Sequence, residues 1–177
     1  GLCFENTRKM RADEYWSRAE KFFRSVGAAY HLHHIQLLRL DALAPVDEQA
    51  RAMLENLLAG VAGMEHENLF LVFERRRAPR VLARALRLDI ETDFVAGLLS
   101  RLGTDALPEL LKLSEDASDA VRLRAVELLS QLGGGDAQAA LLKLSRAGGK
   151  LSAAKAAEEL EQAPNSPLRI LALGSLM

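Results

Sequence analysis

Apolar side chains recur every three or four residues along most of the chain, the spacing that places them on one face of an α-helix. The first predicted helix, Asp13 to Val26, carries one such stripe, made of Trp16, Ala19, Phe22, Phe23 and Val26. We expect this stripe to pack against the rest of the protein. Gly27 is expected to end the helix, since glycine readily adopts the left-handed backbone common at helix C-termini.

The same periodicity predicts further helices as far as Leu160, separated by turns that contain glycine, proline or a helix-capping residue. They are expected to begin at or near Tyr30, Pro45, Pro79, Thr92, Thr104, Ser118 or Asp119, Asp136 and Ser152. Leu69–Phe73 is a continuous apolar run that fits a buried strand or a short helix. We favour helix because the neighbouring segments are helical and no partner strand is predicted.

The end of the chain differs from this pattern. Pro164 and Pro167 bracket a linker, and Leu168–Gly174 predicts a short β-strand. This strand has nothing local to pair with, so it is expected either to dock on another copy or to open a following domain.

Composition agrees with helices. Hydrophobic residues make up 49% of the 177-residue chain and aromatic residues only 5%, so leucine and alanine supply most apolar side chains. The 12 glycines and 5 prolines are too few for a turn-rich all-β protein or a disordered linker. A formal net charge of −1 argues against a dedicated nucleic-acid or membrane-surface binder. Cys3, the single cysteine, excludes an internal disulfide and fits the reducing cytoplasm, where we expect the protein to be located.

Helix pairs of about 35–45 residues predict a solenoid, in which each pair buries its apolar face by stacking on the next. In the first part, Ala19-x3-Phe23-x3-Gly27 and Ala50-x3-Leu54 are similar to the small–large–small spacing of tetratricopeptide repeats. From Leu107 onward the sequence resembles a HEAT repeat, with an early proline, an aspartate in the turn and Val-Arg opening the second helix: Pro108, Asp116, Val121 and Arg122. Asp116 and Arg122 can then pair across the turn and fix the angle between the helices.

A wider resemblance involves two segments. Ala83–Leu99, with its Ala-Leu-Arg-Leu-Asp-Ile-Glu run, is similar to a segment that follows the helical sensor in MalT-like and SARP-like bacterial transcription regulators. Pro167–Gly174 matches the strand that opens a winged-helix or activator domain in those proteins. The matches occur in the expected order, and the HEAT-like insert between them is a departure from the family. The resemblance implies a non-catalytic regulatory segment that relays partner binding to a DNA-binding domain outside this chain.

These observations predict an all-α, right-handed helical-repeat solenoid with a short C-terminal strand. Residues 1–103 are expected to be tetratricopeptide-like, residues 104–163 HEAT-like, and residues 164–177 a linker with the first strand of a following domain. Because the sequence begins without Met, we expect it to be a piece of a longer protein. Its partners would be other domains of that protein or a separate protein, with no direct binding of nucleic acid or membrane. A free-standing HEAT-like binding scaffold is the alternative.

Histidine is the residue type that offers the most specific candidate chemistry. His31 and His34 are three residues apart on a predicted helix, a spacing compatible with metal ligands, and His33 and His66 lie nearby in sequence. No third and fourth ligand occurs at a defined spacing, so ordinary surface or inter-helix histidines are favoured over a metal-binding enzyme. We therefore predict no catalytic residue, no metal and no cofactor.

A run of arginines forms a second candidate site. It consists of Arg75, Arg76, Arg77, Arg80, Arg84 and Arg87. Arg80, Arg84 and Arg87 share one face of a short predicted helix, which is either a solvated face or a stripe that docks on phosphate or an acidic surface. Our hypothesis is that the stripe contacts another domain of the parent regulator. Charge reversal at Arg80 and Arg84 would then weaken activation without unfolding the protein.

Overall fold

The computed structural model describes residues 2–43, 47–147 and 150–162, and every regular element within these ranges is a helix. The α-helices are α1 (Leu2–Ser25), α2 (Ala29–Leu43), α3 (Asp47–Gly63), α4 (Ala78–Arg87), α5 (Thr92–Leu102), α6 (Leu107–Ser114), α7 (Asp119–Leu132), α8 (Gly134–Ala147) and α9 (Lys150–Gln162). A π-helix, Leu69–Phe73, precedes α4, and a 3₁₀ helix, Gly103–Ala106, precedes α6. The predicted all-α fold is confirmed for these residues, whereas the predicted strand Leu168–Gly174 lies outside them.

Two compact units divide the chain, Gly1–Leu98 (unit 1) and Leu99–Met177 (unit 2). In unit 1, α2 packs against α1, α3 and α4. In unit 2, α7 packs against α6, α8 and α9, and α8 packs against α9. The largest fully buried side chains are almost all leucines, so helix layers filled by leucine and alanine account for the small number of aromatic residues. None of the described helices is long and apolar enough to cross a membrane.

The predicted burial of the α1 stripe is wrong at two positions. Phe22 and Val26 are 60% and 57% exposed. Tyr15, which does not belong to the predicted stripe, is also exposed, at 69%. Phe23, next to Phe22, is instead turned toward α2, where its ring stacks on His31. The helix carries apolar residues on two faces, and periodicity alone does not show which of them faces inward.

The predicted start of a helix at Thr104 is also wrong. Thr104 lies within the 3₁₀ helix, and α6 begins at Leu107, so that Pro108 occupies its first turn, where a missing N–H is tolerated. Gly103, with φ of 62°, supplies the left-handed residue that separates α5 from this turn.

The segment that resembles transcription regulators forms α4, a tight turn and α5. Asp89 and Glu91 both have positive φ, 56° and 45°, on either side of Ile90. Ile90 donates its N–H to the carbonyl of Ala85 at 3.0 Å, and its side chain is buried. Two left-handed residues thus reverse the chain and direct the isoleucine into the core.

Candidate functional site

Seven aromatic and imidazole rings of unit 1 form one continuous chain of contacts, which we call the ring cluster. Its members are Phe22, Phe23, Tyr30, His31, His33, His66 and Phe73. Ring centroids of contacting members lie 5.1–6.0 Å apart, within the range in which aromatic pairs attract. Tyr30 is the centre of the cluster, because its ring contacts those of His31, His66 and Phe73.

The turn between α1 and α2 positions the first part of the cluster. Gly27 has φ of 69°, and Ala28 donates its N–H to the carbonyl of Phe23 at 2.9 Å, which closes the end of α1. The chain then enters α2 at Ala29, so that His31 lies against Phe23 with the rings 5.1 Å apart and nearly parallel.

The π-helix positions the other end of the cluster. Glu74 donates its N–H to the carbonyl of Leu69 at 2.9 Å, the hydrogen bond over five residues that defines a π-turn. This wide turn buries Leu69 but leaves Val72 and Phe73 62% and 66% exposed. Helix was the favoured prediction here and is confirmed, whereas neither the π type nor the outward direction of Phe73 was predicted.

A histidine pair lies beneath the exposed part of the cluster. Nδ1 of His33 is 3.3 Å from Nδ1 of His66. One of these nitrogens therefore donates a hydrogen bond to the other, and the two rings have complementary tautomers. His33 is only 5% exposed, and burial, together with the neighbouring His66, lowers its pKa. Gly60 of α3 makes room for this ring, because a Cβ at that position would lie 2.3 Å from His33 Nε2.

Glu74 joins the ring cluster to α4. Its carboxylate accepts hydrogen bonds from His34 Nε2 and Arg77 Nη1, both at 2.7 Å. Burial acts to raise the pKa of Glu74, but the hydrogen bonds from Arg77 and His34 outweigh it and the pKa is lowered. The pKa of Tyr30 is raised by burial and by the charge of Glu74, and its hydroxyl is buried without a hydrogen-bond partner among the described residues.

The structure does not bring the predicted histidine ligands together. His31 lies against Phe23 and His34 against Glu74, while the close pair is His33 and His66. Within the described part of the chain, no group of three or more His, Cys, Asp or Glu side chains could hold a metal ion. The chemistry that this arrangement offers is proton exchange between imidazoles.

Two of the predicted arginines bind an acidic residue of α2. Arg80 contacts both carboxylate oxygens of Asp41 at 2.9 Å, and Arg77 Nε lies 3.5 Å from the same carboxylate. The Asp41 side chain is only 12% exposed, so this contact fastens α4 to α2. A small groove of about 200 Å³ lies beside it, lined by Leu40, Asp41, Leu54, Arg80, Val81 and Arg84.

The contacts with Asp41 give two members of the arginine run, Arg77 and Arg80, a structural role. Arg84 and Arg87 also take part in interactions, and Arg76 is exposed. Charge reversal at Arg80 would place two carboxylates together at the junction of α2 and α4, so it is expected to lower stability as well as any activity. This expected loss of stability differs from the prediction made from the sequence, which was weaker activation without unfolding.

In unit 2, Arg122 holds the turn between α6 and α7. Its Nη1 donates to the main-chain carbonyls of Asp116 and Ala117, and its Nη2 contacts the carboxylate of Asp119. The Asp116 carboxylate in turn accepts the N–H of Ser118 at 3.1 Å. Arg122 thus contacts Asp116 across the turn through the main-chain carbonyl of Asp116. The predicted pairing of their two side chains stays a prediction.

Comparison with known proteins gives no relative, since no family model matches the chain and neither a curated protein nor a solved structure is significantly similar to it.

Proposed function

We propose that the chain is a non-catalytic protein-interaction segment of a cytoplasmic bacterial transcriptional activator. It would be built as a right-handed helical-repeat solenoid, with tetratricopeptide-like pairs followed by HEAT-like pairs, and would relay partner binding to a DNA-binding domain outside this chain. Its partner is another domain of the parent regulator or a separate protein.

One observation carries the proposal, the exposure of the ring cluster at both ends. Phe22 and Phe73 are 60% and 66% exposed, although both belong to a cluster whose interior is ordered by ring contacts. Large apolar side chains held in one place and left open to solvent are typical of binding surfaces. Val72, beside Phe73 on the π-helix, enlarges this surface.

The regulatory part of the proposal is supported by the resemblance of Ala83–Leu99 to transcription regulators and by the helical fold of that segment. The repeat part is supported by the contacts of unit 2, in which α6 packs against α7 and α8 packs against α9, as successive helix pairs of a HEAT array would.

The proposal is tested by introducing variants into the gene that encodes the whole protein and measuring transcript levels in the source organism. Val72→Ser combined with Phe73→Ser removes the exposed apolar surface at the π-helix end of the ring cluster without changing a buried side chain. The double variant is expected to reproduce the transcript changes of a gene deletion while its protein level stays normal. Gln49→Ser, an exposed polar position on α3, is the matched control and should behave as wild type. Wild-type transcript levels in the double variant would refute the proposal.

A groove in unit 2 favours the second candidate function, a free-standing HEAT-like binding scaffold. It measures about 450 Å³ between α6 and α8 and is lined by Leu107, Leu111, Ser114, Glu115, Asp136, Ala139, Ala140, Lys143 and Leu144. The reading frame around the coding segment separates the candidates. An upstream nucleotide-binding motif and a downstream winged helix support the regulator, and a stop codon directly after Met177 supports the scaffold.

A further inference from the structure

The outward face of α1 combines aromatic and basic side chains in one stripe. The stripe, which we call the α1 face, consists of Arg11, Tyr15, Arg18 and Phe22 of α1 and of Val26 in the turn that follows the helix. Successive members are three or four residues apart, and Val26 donates its N–H to the carbonyl of Phe22 at 3.1 Å, so they lie along one side of the helix and its final turn. All five are exposed, which is unusual for a helix face that contains three large apolar side chains.

Charges on α1 are separated between its two sides. The carboxylates of Asp13 and Glu20 both bind Arg39 of α2, at 2.7 Å and 3.0 Å, and are thereby held on the inner side. The α1 face contains two charged residues, Arg11 and Arg18, and no acidic residue, and Glu14 and Lys21 flank it on one side. The α1 face is therefore positive although the whole chain has a net charge of −1.

We propose that the α1 face binds an acidic amphipathic helix of a separate partner protein. Helices pack by inserting the side chains of one into the grooves of the other, and Tyr15, Phe22 and Val26 provide apolar side chains at the seven- and four-residue intervals that such packing uses. Arg11 and Arg18 alternate with these anchors, and each can donate two hydrogen bonds to a carboxylate of the partner. The inference rests on the proposed function in one respect, namely that unit 1 binds another protein.

Other occupants fit this face less well. Two copies of the α1 face packed together would bring Arg18 of each near the other, and the α1 face itself contains no carboxylate that could pair with these arginines. A membrane surface would require an uninterrupted apolar face, but Arg18 separates Tyr15 from Phe22. A nucleic acid would be favoured by a basic surface that extends over the domain, and the charge of this chain is nearly balanced.

Two labelled helical peptides test the proposal with the full chain. Both are about 20 residues long and carry leucine at helical spacing, and they differ in having glutamate or lysine at every other exposed position. Fluorescence anisotropy should show that the acidic peptide binds at least about tenfold more tightly than the basic one, and that added salt weakens its binding.

Tyr15→Ala with Phe22→Ala, and separately Arg18→Glu, should each reduce the affinity for the acidic peptide at least about tenfold. Met64→Ser, at an exposed apolar position outside both α1 and the ring cluster, is the matched control and should leave it unchanged.

Circular dichroism of each variant establishes that the helices are intact. Equal binding of the two peptides, or unaltered binding by the Tyr15 and Phe22 variant, would overturn the proposal. It would also be overturned by tighter binding of oligothymidine or of anionic phospholipid vesicles, or by self-association that this variant abolishes. If the peptides fail to bind while Val72→Ser with Phe73→Ser still alters transcription, the α1 inference fails and the proposed function stands.

Discussion

The imidazoles of His33 and His66 face each other with 3.3 Å between their Nδ1 atoms, and this half-buried pair connects α2 to the segment that leads into the π-helix. His66 also contacts Tyr30, whose ring contacts the exposed Phe73. The exposed ring of Phe73 is thus linked through Tyr30 to the histidine pair. Protonation of His33, which is buried, is expected to act on the stability of this part of unit 1.

Stability is expected to fall as pH is lowered below neutrality. The pKa of His33 is lowered from 6.5 by burial and by His66, so the unfolded chain takes up a proton at a higher pH than the folded one. The free energy of unfolding should therefore be constant above about pH 7 and decrease below pH 6.5, by at most about 1.4 kcal/mol per pH unit for this one proton. Urea unfolding at pH values between 7.5 and 5 measures this effect. The pKa of Glu74 is lowered by its hydrogen bonds from Arg77 and His34, so its carboxylate stays ionised in the folded protein over this interval.

His33→Asn is the variant that isolates this effect, because asparagine retains a polar atom near the position of Nδ1 but does not titrate. Its free energy of unfolding should change less with pH than that of the wild type over the same interval. The same slope in both proteins would show that His33 is not the group responsible.

Gly60→Ala should destabilise the protein even though alanine favours helix. The new Cβ would lie 2.3 Å from Nε2 of the buried His33 ring, and relieving that overlap is expected to cost about 1–3 kcal/mol. Gly97→Ala, in α5 with no atom within 4 Å of the new Cβ, is the control and should stabilise by about 0.5–1 kcal/mol. Thermal unfolding measures both variants. His33→Ala should reduce the effect of Gly60→Ala, and full additivity of the two changes would contradict the proposed overlap.

Arg39→Met should destabilise unit 1 by about 1–3 kcal/mol, because it leaves the carboxylates of Asp13 and Glu20 without the guanidinium that joins them to α2. Arg51→Met is the control, since Arg51 lies 3.8 Å from Glu55 on the same helix and both are about half exposed. It should produce no measurable change in urea unfolding. A comparable loss in both variants would mean that the contact between α1 and α2 does not depend on Arg39.

Asp41→Asn should loosen α4 from α2. The side chain is 12% exposed and accepts two hydrogen bonds from Arg80, so removal of its charge is expected to cost about 1–3 kcal/mol. Glu115→Gln, at an exposed carboxylate that contacts Lys143, is the control and should have no measurable effect. Hydrogen exchange of the α4 amides should become faster in Asp41→Asn, and unchanged exchange would contradict the role assigned to this carboxylate.

The sequence predicted the helices well because helix signals are local. The end of α1 before Gly27, the start of α2 near Tyr30 and the helix at Leu69–Phe73 all follow from periodicity and breakers within a few residues. The candidate site was not predictable in the same way. His33 and His66 are 33 residues apart in the sequence, and His34 and Glu74 are 40 residues apart, so no local spacing indicates either contact.

The sequence also did not predict which apolar face of α1 is turned inward. Its apolar residues occupy two faces, and only the position of α2 determines that Phe23 is turned inward while Phe22 remains exposed. Arg80 of the arginine run is exposed, and its acidic partner, Asp41, is 39 residues away in the sequence, so no local spacing indicates this contact.

Photo-crosslinking at Phe73 is the most direct test of the central claim, that the exposed end of the ring cluster contacts another polypeptide. Benzoylphenylalanine is introduced in place of Phe73 in the parent protein and irradiated in living cells, and the crosslinked peptide is identified by mass spectrometry. We predict one dominant adduct that maps to a single segment of another domain or protein and disappears when the photoreactive residue is moved to Gln49. Diffuse adducts that are the same at both positions would contradict the claim.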